Sequence, residues 1–134
     1  MTVVYRIKWR AALSFEEFAG LADQLVDKVP PRLCTELNGG FMVIPATRRD
    51  RDMYIMGEFV EDPSLGRFIV FYYGSFAAIL GMAPRTKWEE ELRETVWHEL
   101  RHHLEALAGV DDLTIEELKE LAACREQKNR RGRD

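Results

Sequence analysis

The stretch from Thr86 to Gly109, TKWEEELRETVWHELRHHLEALAG, constrains the fold more than any other part of the chain. Thr86, followed three residues later by Glu89, is typical of a helix capping box, and Gly109 suits the C-terminal cap. About 22 residues between these caps predict a helix roughly 33 Å long. Its apolar side chains recur at helical spacing and form one stripe, which we expect to face the core: Trp88, Leu92, Val96, Leu100, Leu104 and Leu107.

Shorter elements are predicted on both sides of this helix. Ser14 and Glu17 form a second capping box, at the start of a helix that Pro30 and Pro31 end. The polar stretch 47–52 is expected to be a loop, and 62–66 a turn. Apolar and β-branched runs predict strands at 41–46, 54–60 and 67–73, and helical spacing predicts helices at 75–81 and 114–127.

The first residues show a two-residue period. Val3, Tyr5, Ile7 and Trp9 lie on one side of an extended chain, and Val4, Arg6 and Lys8 lie on the other. This alternation predicts a strand at 3–9. We therefore divide the chain into an N-terminal extension or strand at 1–13, a single domain at 14–127 and a basic tail at 128–134, which we expect to be disordered.

Composition narrows the class of protein. A formal net charge of −4 at pH 7 argues against a nucleic-acid partner, because no broad basic face is available to neutralise phosphates. The two cysteines, Cys34 and Cys124, form no C-x-x-C pair, so a disulfide scaffold is not expected and a reducing cytoplasm fits. No apolar run approaches the ~20 residues that a membrane span requires. We expect a cytoplasmic protein without a membrane partner.

All three histidines of the chain lie within the motif HELRHH, at His98, His102 and His103. His98 and His102 are four residues apart, so they lie one turn above each other, rotated by only ~40°. Two imidazoles at this spacing can bind one metal ion between them. The alternative to a metal site is a helix face of polar side chains that is simply exposed to water. His103 lies near the apolar stripe, where a structural or supporting role is favoured over metal ligation.

Glu99 follows the first histidine of the pair. In an H-E-x-x-H helix the glutamate does not bind the metal; it takes a proton from the attacking water and later delivers it to the leaving group. Each residue of the motif thus has its own chemical role. This makes H-E-x-x-H a more specific signal than two histidines alone.

The motif and its surroundings resemble the small bacterial zincin-like metallopeptidases, also called minimal metalloproteases. The resemblance rests on HELRHH, on YIMGEF and GRFIVFYYGSF, and on FEEFAGLADQLVDKVPPRL, and it spans roughly residues 14 to 120. It implies an α/β (α+β) fold in which a small three- to four-stranded sheet packs on a long active-site helix with flanking helices. It also implies one Zn²⁺ per chain and a peptide or protein substrate.

The third zinc ligand departs from the family pattern. Members of the family continue with a Gly-x-x-Asp or Gly-x-x-His, whereas Glu105 occupies the Gly position here and Ala108 the ligand position. A Gly-x-x-Asp occurs four residues later, about one helical turn on, and makes Asp112 the first candidate. The rivals are Glu105, Glu116 and Glu120.

The expected function is hydrolysis of peptide bonds with His98 and His102 as zinc ligands and Glu99 as general base. Tyr72 and Tyr73 end the third predicted strand of the domain, and a tyrosine there could stabilise the oxyanion. We take Tyr73 as the candidate for contact with substrate, and core packing is the alternative for at least one of the two. Two alternatives stay open: a non-catalytic zincin-fold module that binds a partner, and a zinc hydrolase that acts on RNA.

Overall fold

The structure is a computed structural model that describes residues 11–108. The predicted strand at 3–9, the helix at 114–127 and the tail at 128–134 lie outside these residues, as do the candidate ligands Asp112, Glu116 and Glu120. The elements in chain order are α1 (Phe15–Asp27), a 3₁₀ turn (Pro31–Cys34), β1 (Gly40–Ile44), β2 (Arg48–Asp50), β3 (Met53–Ile55), β4 (Gly57–Asp62), β5 (Gly66–Tyr72), α2 (Tyr73–Leu80) and α3 (Arg85–Ala108).

Helix α3 runs along the core, and its apolar stripe is placed as predicted. Trp88, Leu92 and Leu100 have no solvent exposure, Val96 and Leu104 have almost none, and Leu107 is half-buried. The predicted cap is wrong, because the helix begins at Arg85 and Thr86 lies inside it. The backbone N–H groups of Lys87 and Trp88 donate to the Pro84 carbonyl instead, so Pro84 opens the first turn.

Helix α1 begins with the predicted capping box. The Ser14 side chain accepts a hydrogen bond from the Glu17 backbone N–H, and the Glu17 carboxylate accepts one from the Ser14 backbone N–H. One side of the helix is buried against the core through Phe18, Leu21, Ala22 and Leu25. The capping box therefore fixes where the buried side of α1 starts.

The main sheet has the strand order β1-β5-β4 among the described residues. β1 runs parallel to β5, with Phe41 opposite Ile69, and β4 runs antiparallel to β5, with Phe59 opposite the same residue. Alternate side chains of the three strands join the core that α1 and α3 cover, among them Phe41, Val43, Phe59, Ile69 and Phe71. This small mixed sheet packed on a long helix confirms the predicted α+β fold.

The region between β1 and β4 differs from prediction. The stretch 47–52, predicted as a loop, forms a hairpin in which Arg49 of β2 pairs with Tyr54 of β3. The predicted strand 54–60 is thus split between this hairpin and β4. Arg51 adopts a φ of 59° at the hairpin turn, and the Arg49 guanidinium lies 5.0 Å from the Tyr54 ring centroid. Cross-strand pairing of this kind outweighs the polar composition that suggested a loop.

Helix α2 begins at Tyr73, two residues before the predicted start. Gly74 therefore lies in the first turn of the helix rather than ahead of it, and its N–H donates to the Ala46 carbonyl at 3.1 Å. A Cβ at this position would collide with Thr47, so glycine serves close packing here. In residues 11–108, no helix combines the length and the apolar character needed to cross a bilayer.

Candidate active site

The imidazoles of His98 and His102 lie side by side on α3. Their Nε2 atoms are 3.2 Å apart, the ring centroids are 4.7 Å apart, and the ring planes are nearly perpendicular. A tetrahedral zinc ion with Zn–N bonds of ~2.0–2.1 Å separates two ligand nitrogens by about 3.3 Å. The two nitrogens therefore have the spacing of two ligands of one tetrahedral ion. His102 is half exposed, so this pair faces solvent.

Glu105 lies behind His102. Its Oε1 is 3.7 Å from His102 Nδ1, on the side of the imidazole opposite Nε2, and its Oε2 accepts a hydrogen bond from Arg101 Nε at 3.4 Å. A carboxylate next to the far nitrogen of a ligand histidine orients the ring and raises its basicity. At 3.7 Å the Glu105 carboxylate lies near His102 Nδ1 but beyond hydrogen-bond distance.

The third ligand is not found among the described residues. No group of three His, Cys, Asp or Glu side chains in 11–108 is arranged to hold a metal ion. Asp112, the first candidate from the sequence, lies outside this range, together with Glu116 and Glu120. The assignment of the third ligand stays a prediction.

Glu99 is turned away from solvent toward strand β4. Its side chain is 8% exposed, and its Oε1 accepts a hydrogen bond from the Phe59 backbone N–H at 3.1 Å. The pKa of the Glu99 carboxyl is raised, mainly because the group is buried. The charge of Glu58 adds to this rise, whereas His98, His102 and the Phe59 N–H oppose it. One oxygen of the carboxylate is thus held in place, and the pKa of the group is shifted toward the range useful for acid–base catalysis.

Gly57 allows β4 to come close enough to α3 for this hydrogen bond. A Cβ at Gly57 would lie 2.7 Å from the Thr95 methyl group and 3.2 Å from the Val70 carbonyl oxygen. Thr95 and Glu99 are one turn apart on the same side of α3. The sequence analysis did not identify Gly57 or Phe59 as part of the site, although a glycine inside a strand is a known sign of close backbone approach.

A polar cluster on β4 and β5 lies next to Glu99. The Tyr72 hydroxyl donates to Glu58 Oε1 at 2.7 Å, and Arg48 Nε lies 3.6 Å from the same oxygen. Burial, together with the bond to Glu58, raises the pKa of Tyr72. Sequence reasoning missed Glu58 and Arg48, because their meeting depends on the pairing of β4 with β5 and on the unpredicted strand β2.

His103 has no solvent exposure and points into the core, unlike His102. Its Nε2–H donates to the Thr35 carbonyl at 2.8 Å, and its ring lies 5.5 Å from that of Phe59. Burial lowers the pKa of His103, and the Thr35 carbonyl partly opposes that shift. These contacts tie α3 to the Thr35 turn and to the strand that positions Glu99.

Tyr73 lies at a different place from the histidine pair. Its hydroxyl donates to the Leu13 carbonyl at 2.6 Å, and its ring stacks on Trp88 with a centroid distance of 6.1 Å. Trp88 precedes His98 by ten residues, or about 15 Å along the helix axis. The substrate role of Tyr73 stays a prediction. The tyrosine bonded to Glu58, whose charge acts on Glu99, is Tyr72.

Comparison with known proteins identifies the family of the chain. The family model of the zincin-like metallopeptidases matches residues 12–122. The chain belongs to the zincin-like metallopeptidase family. It is also similar to the solved structure of a conserved hypothetical protein from Thermus thermophilus, at 37% identity and a TM-score of 0.65 over 73% of this chain and 100% of the other. No curated protein matches the chain.

Proposed function

We propose that this zincin-like protein is a zinc-dependent peptide hydrolase in which Glu99 acts first as general base and then as general acid. The observation that carries the proposal is the joint placement of three side chains on α3. His98 Nε2 and His102 Nε2 are 3.2 Å apart, and Glu99, one residue from His98, is held by the Phe59 N–H. Zinc bound at the imidazoles would lower the pKa of a water molecule and polarise the scissile carbonyl.

Glu99 supplies the proton transfers. Its carboxyl has a raised pKa because it is buried, and general acid–base groups work best when their pKa lies near the working pH. The Phe59 N–H restrains Oε1, so the side chain keeps one orientation while protons move to and from the carboxylate. A group that takes a proton from water and returns it to the leaving amine needs this fixed position.

His98 and His102 supply two metal ligands from one rigid helix. We propose Asp112 as the third ligand, with Glu105, Glu116 and Glu120 as the alternatives. The contact of Glu105 with His102 Nδ1 supports an orienting role for Glu105, and this favours a ligand from elsewhere. We also propose a cytoplasmic location, which the cysteine content supports.

The decisive experiment measures zinc content and peptide cleavage in the same preparations of the full chain. We expect Glu99→Gln to retain about one zinc per chain and to lose 10²- to 10⁴-fold in kcat against a peptide library, the range typical of a general acid–base group. Glu90→Gln is the matched control, because Glu90 is an exposed glutamate of the same helix. His98→Ala and His102→Ala should lose both the metal and the activity.

Two outcomes would contradict the proposal. Unchanged turnover in Glu99→Gln would remove Glu99 from the mechanism. Bound zinc without any Glu99-dependent peptide cleavage would favour a partner-binding module, or, if a parallel assay on RNA is positive, a nuclease.

A further inference from the structure

The backbone of Arg48 is held in place by a buried serine. The Ser75 hydroxyl accepts a hydrogen bond from the Arg48 N–H at 3.0 Å and donates one to the Arg48 carbonyl at 3.1 Å. Ser75 has no solvent exposure and lies in the first turn of α2, which directly follows β5. The β2–β3 hairpin is thus fixed at the carboxyl end of the central strand. Its arginine therefore extends from a rigid support, as a residue that recognises a ligand requires.

The side chain of Arg48 lies on the face of the sheet opposite α3. Phe59 packs against the core that α3 covers, and side chains alternate along a strand, so Glu58 points to the other face. There Glu58 Oε1 accepts the Tyr72 hydroxyl at 2.7 Å, and Arg48 Nε lies 3.6 Å from the same oxygen. The Arg48 guanidinium carbon is 5.9 Å from the centroid of the Tyr72 ring. The guanidinium is therefore positioned beside β4, the strand that holds Glu99.

A short path connects this arginine to the proposed general base. The Glu99 carboxylate bonds the Phe59 N–H at 3.1 Å, and Glu58 directly precedes Phe59. With ordinary bond lengths across Glu58, Arg48 Nε lies at most about 14 Å from Glu99 Oε1. An extended peptide covers about 3.3–3.6 Å per residue, so this distance corresponds to about four residues. A peptide cleaved at Glu99 can therefore place a nearby group at Arg48.

The contacts with Glu58 and Tyr72 do not occupy the whole guanidinium. At 3.6 Å the separation of Arg48 Nε from Glu58 Oε1 exceeds hydrogen-bond distance, and 52% of the Arg48 side chain is exposed. A guanidinium has several N–H donors and can bind a carboxylate bidentately. The stretch 47–52 around it contains three arginines and two aspartates, in a chain of net charge −4. These features favour a negatively charged group as the ligand of Arg48.

We propose that Arg48 determines substrate specificity by binding a carboxylate of the peptide, within about four residues of the scissile bond. An acidic side chain and the C-terminus of a peptide present the same two oxygens, and the experiment separates these two sources. The inference rests on the proposed hydrolysis at Glu99, and it adds the class of substrate, an anionic peptide. Binding at two oxygens also fixes the position of the peptide relative to Glu99.

The test measures kcat/KM of the zinc-loaded full chain on pairs of peptides that differ in one carboxylate. One set compares Glu with Gln at each position near the scissile bond, and a second set compares a free with an amidated C-terminus. We expect the wild type to favour the charged peptide by roughly tenfold in one of the two sets, because a hydrogen bond to a charged group is lost in the neutral one. Arg48→Gln should remove this preference. Arg49→Gln is the matched control and should keep it, because Arg49 lies over the Tyr54 ring instead.

Arg48→Glu separates substrate binding from a change in the fold. It should reverse the preference, so that the charged peptide of the pair becomes the poorer substrate, because like charges repel. A damaged fold would instead slow the cleavage of both peptides equally. Equal cleavage of charged and neutral peptides by the wild type, or an unchanged preference in Arg48→Gln, would overturn this inference and leave hydrolysis at Glu99 intact. If the wild type shows no Glu99-dependent cleavage of any peptide, the proposed function is wrong and this inference is wrong with it.

Discussion

In the part of the chain that the structure describes, the two edges of the main sheet are covered by helices in different ways. At β4, Gly57 permits close contact with α3, and the Phe59 N–H on the outer edge is bonded by the Glu99 carboxylate. At β1, α1 leaves a groove of about 190 Å³ over Phe41 and Val43. One edge is closed by a polar side chain and carries the candidate chemistry. The other presents a groove lined mainly by apolar side chains, with Asp23 among its lining residues. A covering helix alone therefore does not determine the chemical character of a sheet edge. The residues where helix and strand meet determine it.

The largest expected loss of stability comes from a substitution in β5, the central strand, which pairs with both edge strands. Phe71 is fully buried, contacts the groove and lies under the Gly57–Thr95 crossing, so Phe71→Ala should reduce the free energy of unfolding by about 3–5 kcal/mol. Phe41→Ala is the comparison at the β1 edge, where the side chain is only partly buried. Urea unfolding of Phe41→Ala should give a loss less than half as large, because the groove leaves part of the Phe41 ring uncovered. A loss equal to that of Phe71→Ala would mean that Phe41 is covered.

The next effect tests the closeness of the β4 edge to α3. Gly57→Ala should lower stability by about 1–3 kcal/mol, because the added methyl group forces β4 away from Thr95. The same shift should lengthen the Phe59–Glu99 hydrogen bond and reduce kcat. Gly20→Ala is the control, since nothing lies within 4 Å of a Cβ there, and it should stabilise α1 by about 0.5–1 kcal/mol. Unchanged stability and kcat in Gly57→Ala would refute the close approach as the determinant of the site.

A smaller loss of stability is expected from a substitution that tests whether Tyr73 belongs to the active site. Tyr73→Phe removes the bond to the Leu13 carbonyl and should cost about 1 kcal/mol of stability, with kcat/KM within about twofold of wild type. Thermal unfolding and a peptide cleavage assay measure the two quantities. A loss of activity of tenfold or more would instead support the predicted contact of Tyr73 with substrate.

The smallest effect concerns the capping box of α1, the helix above the β1 edge. Hydrogen bonds from Ser14 lower the pKa of Glu17, so its contribution to stability is present above the unfolded value of 4.5 and is lost as pH falls through the lower folded value. Glu17→Gln should therefore be slightly less stable than wild type at pH 7, and the difference should shrink in acid. Glu16→Gln removes the same charge from the same turn and leaves the Ser14 contacts intact. Identical pH profiles of stability for Glu17→Gln and wild type would exclude this linkage.

The sequence predicted the features that depend on spacing along one element. The Ser14–Glu17 capping box, the buried stripe of α3 and the proximity of His98 to His102 each involve residues within a few turns of one helix. Helical geometry alone places such residues together. These predictions needed no knowledge of how the elements pack.

The remaining features depend on contacts between distant parts of the chain. The split of the predicted strand 54–60 follows from the pairing of β2 with β3, and the role of Gly57 follows from its contact with Thr95. The position of Tyr73 follows from Leu13, sixty residues away along the chain. Periodicity does not report which elements meet, so these parts of the site became visible only in the fold.

The same contrast sets an order in which the site can form. The contact between His98 and His102 spans four residues, whereas the bond between Phe59 and Glu99 spans 40. Closing the longer loop costs roughly 2 kcal/mol more in chain entropy, and contacts of this kind slow folding. A nascent helix α3 can therefore bring its imidazoles together before the sheet exists, but the glutamate takes its position only after β4 has docked. A partly folded chain would therefore have the histidine pair but would lack the positioned glutamate that the proposed cleavage requires.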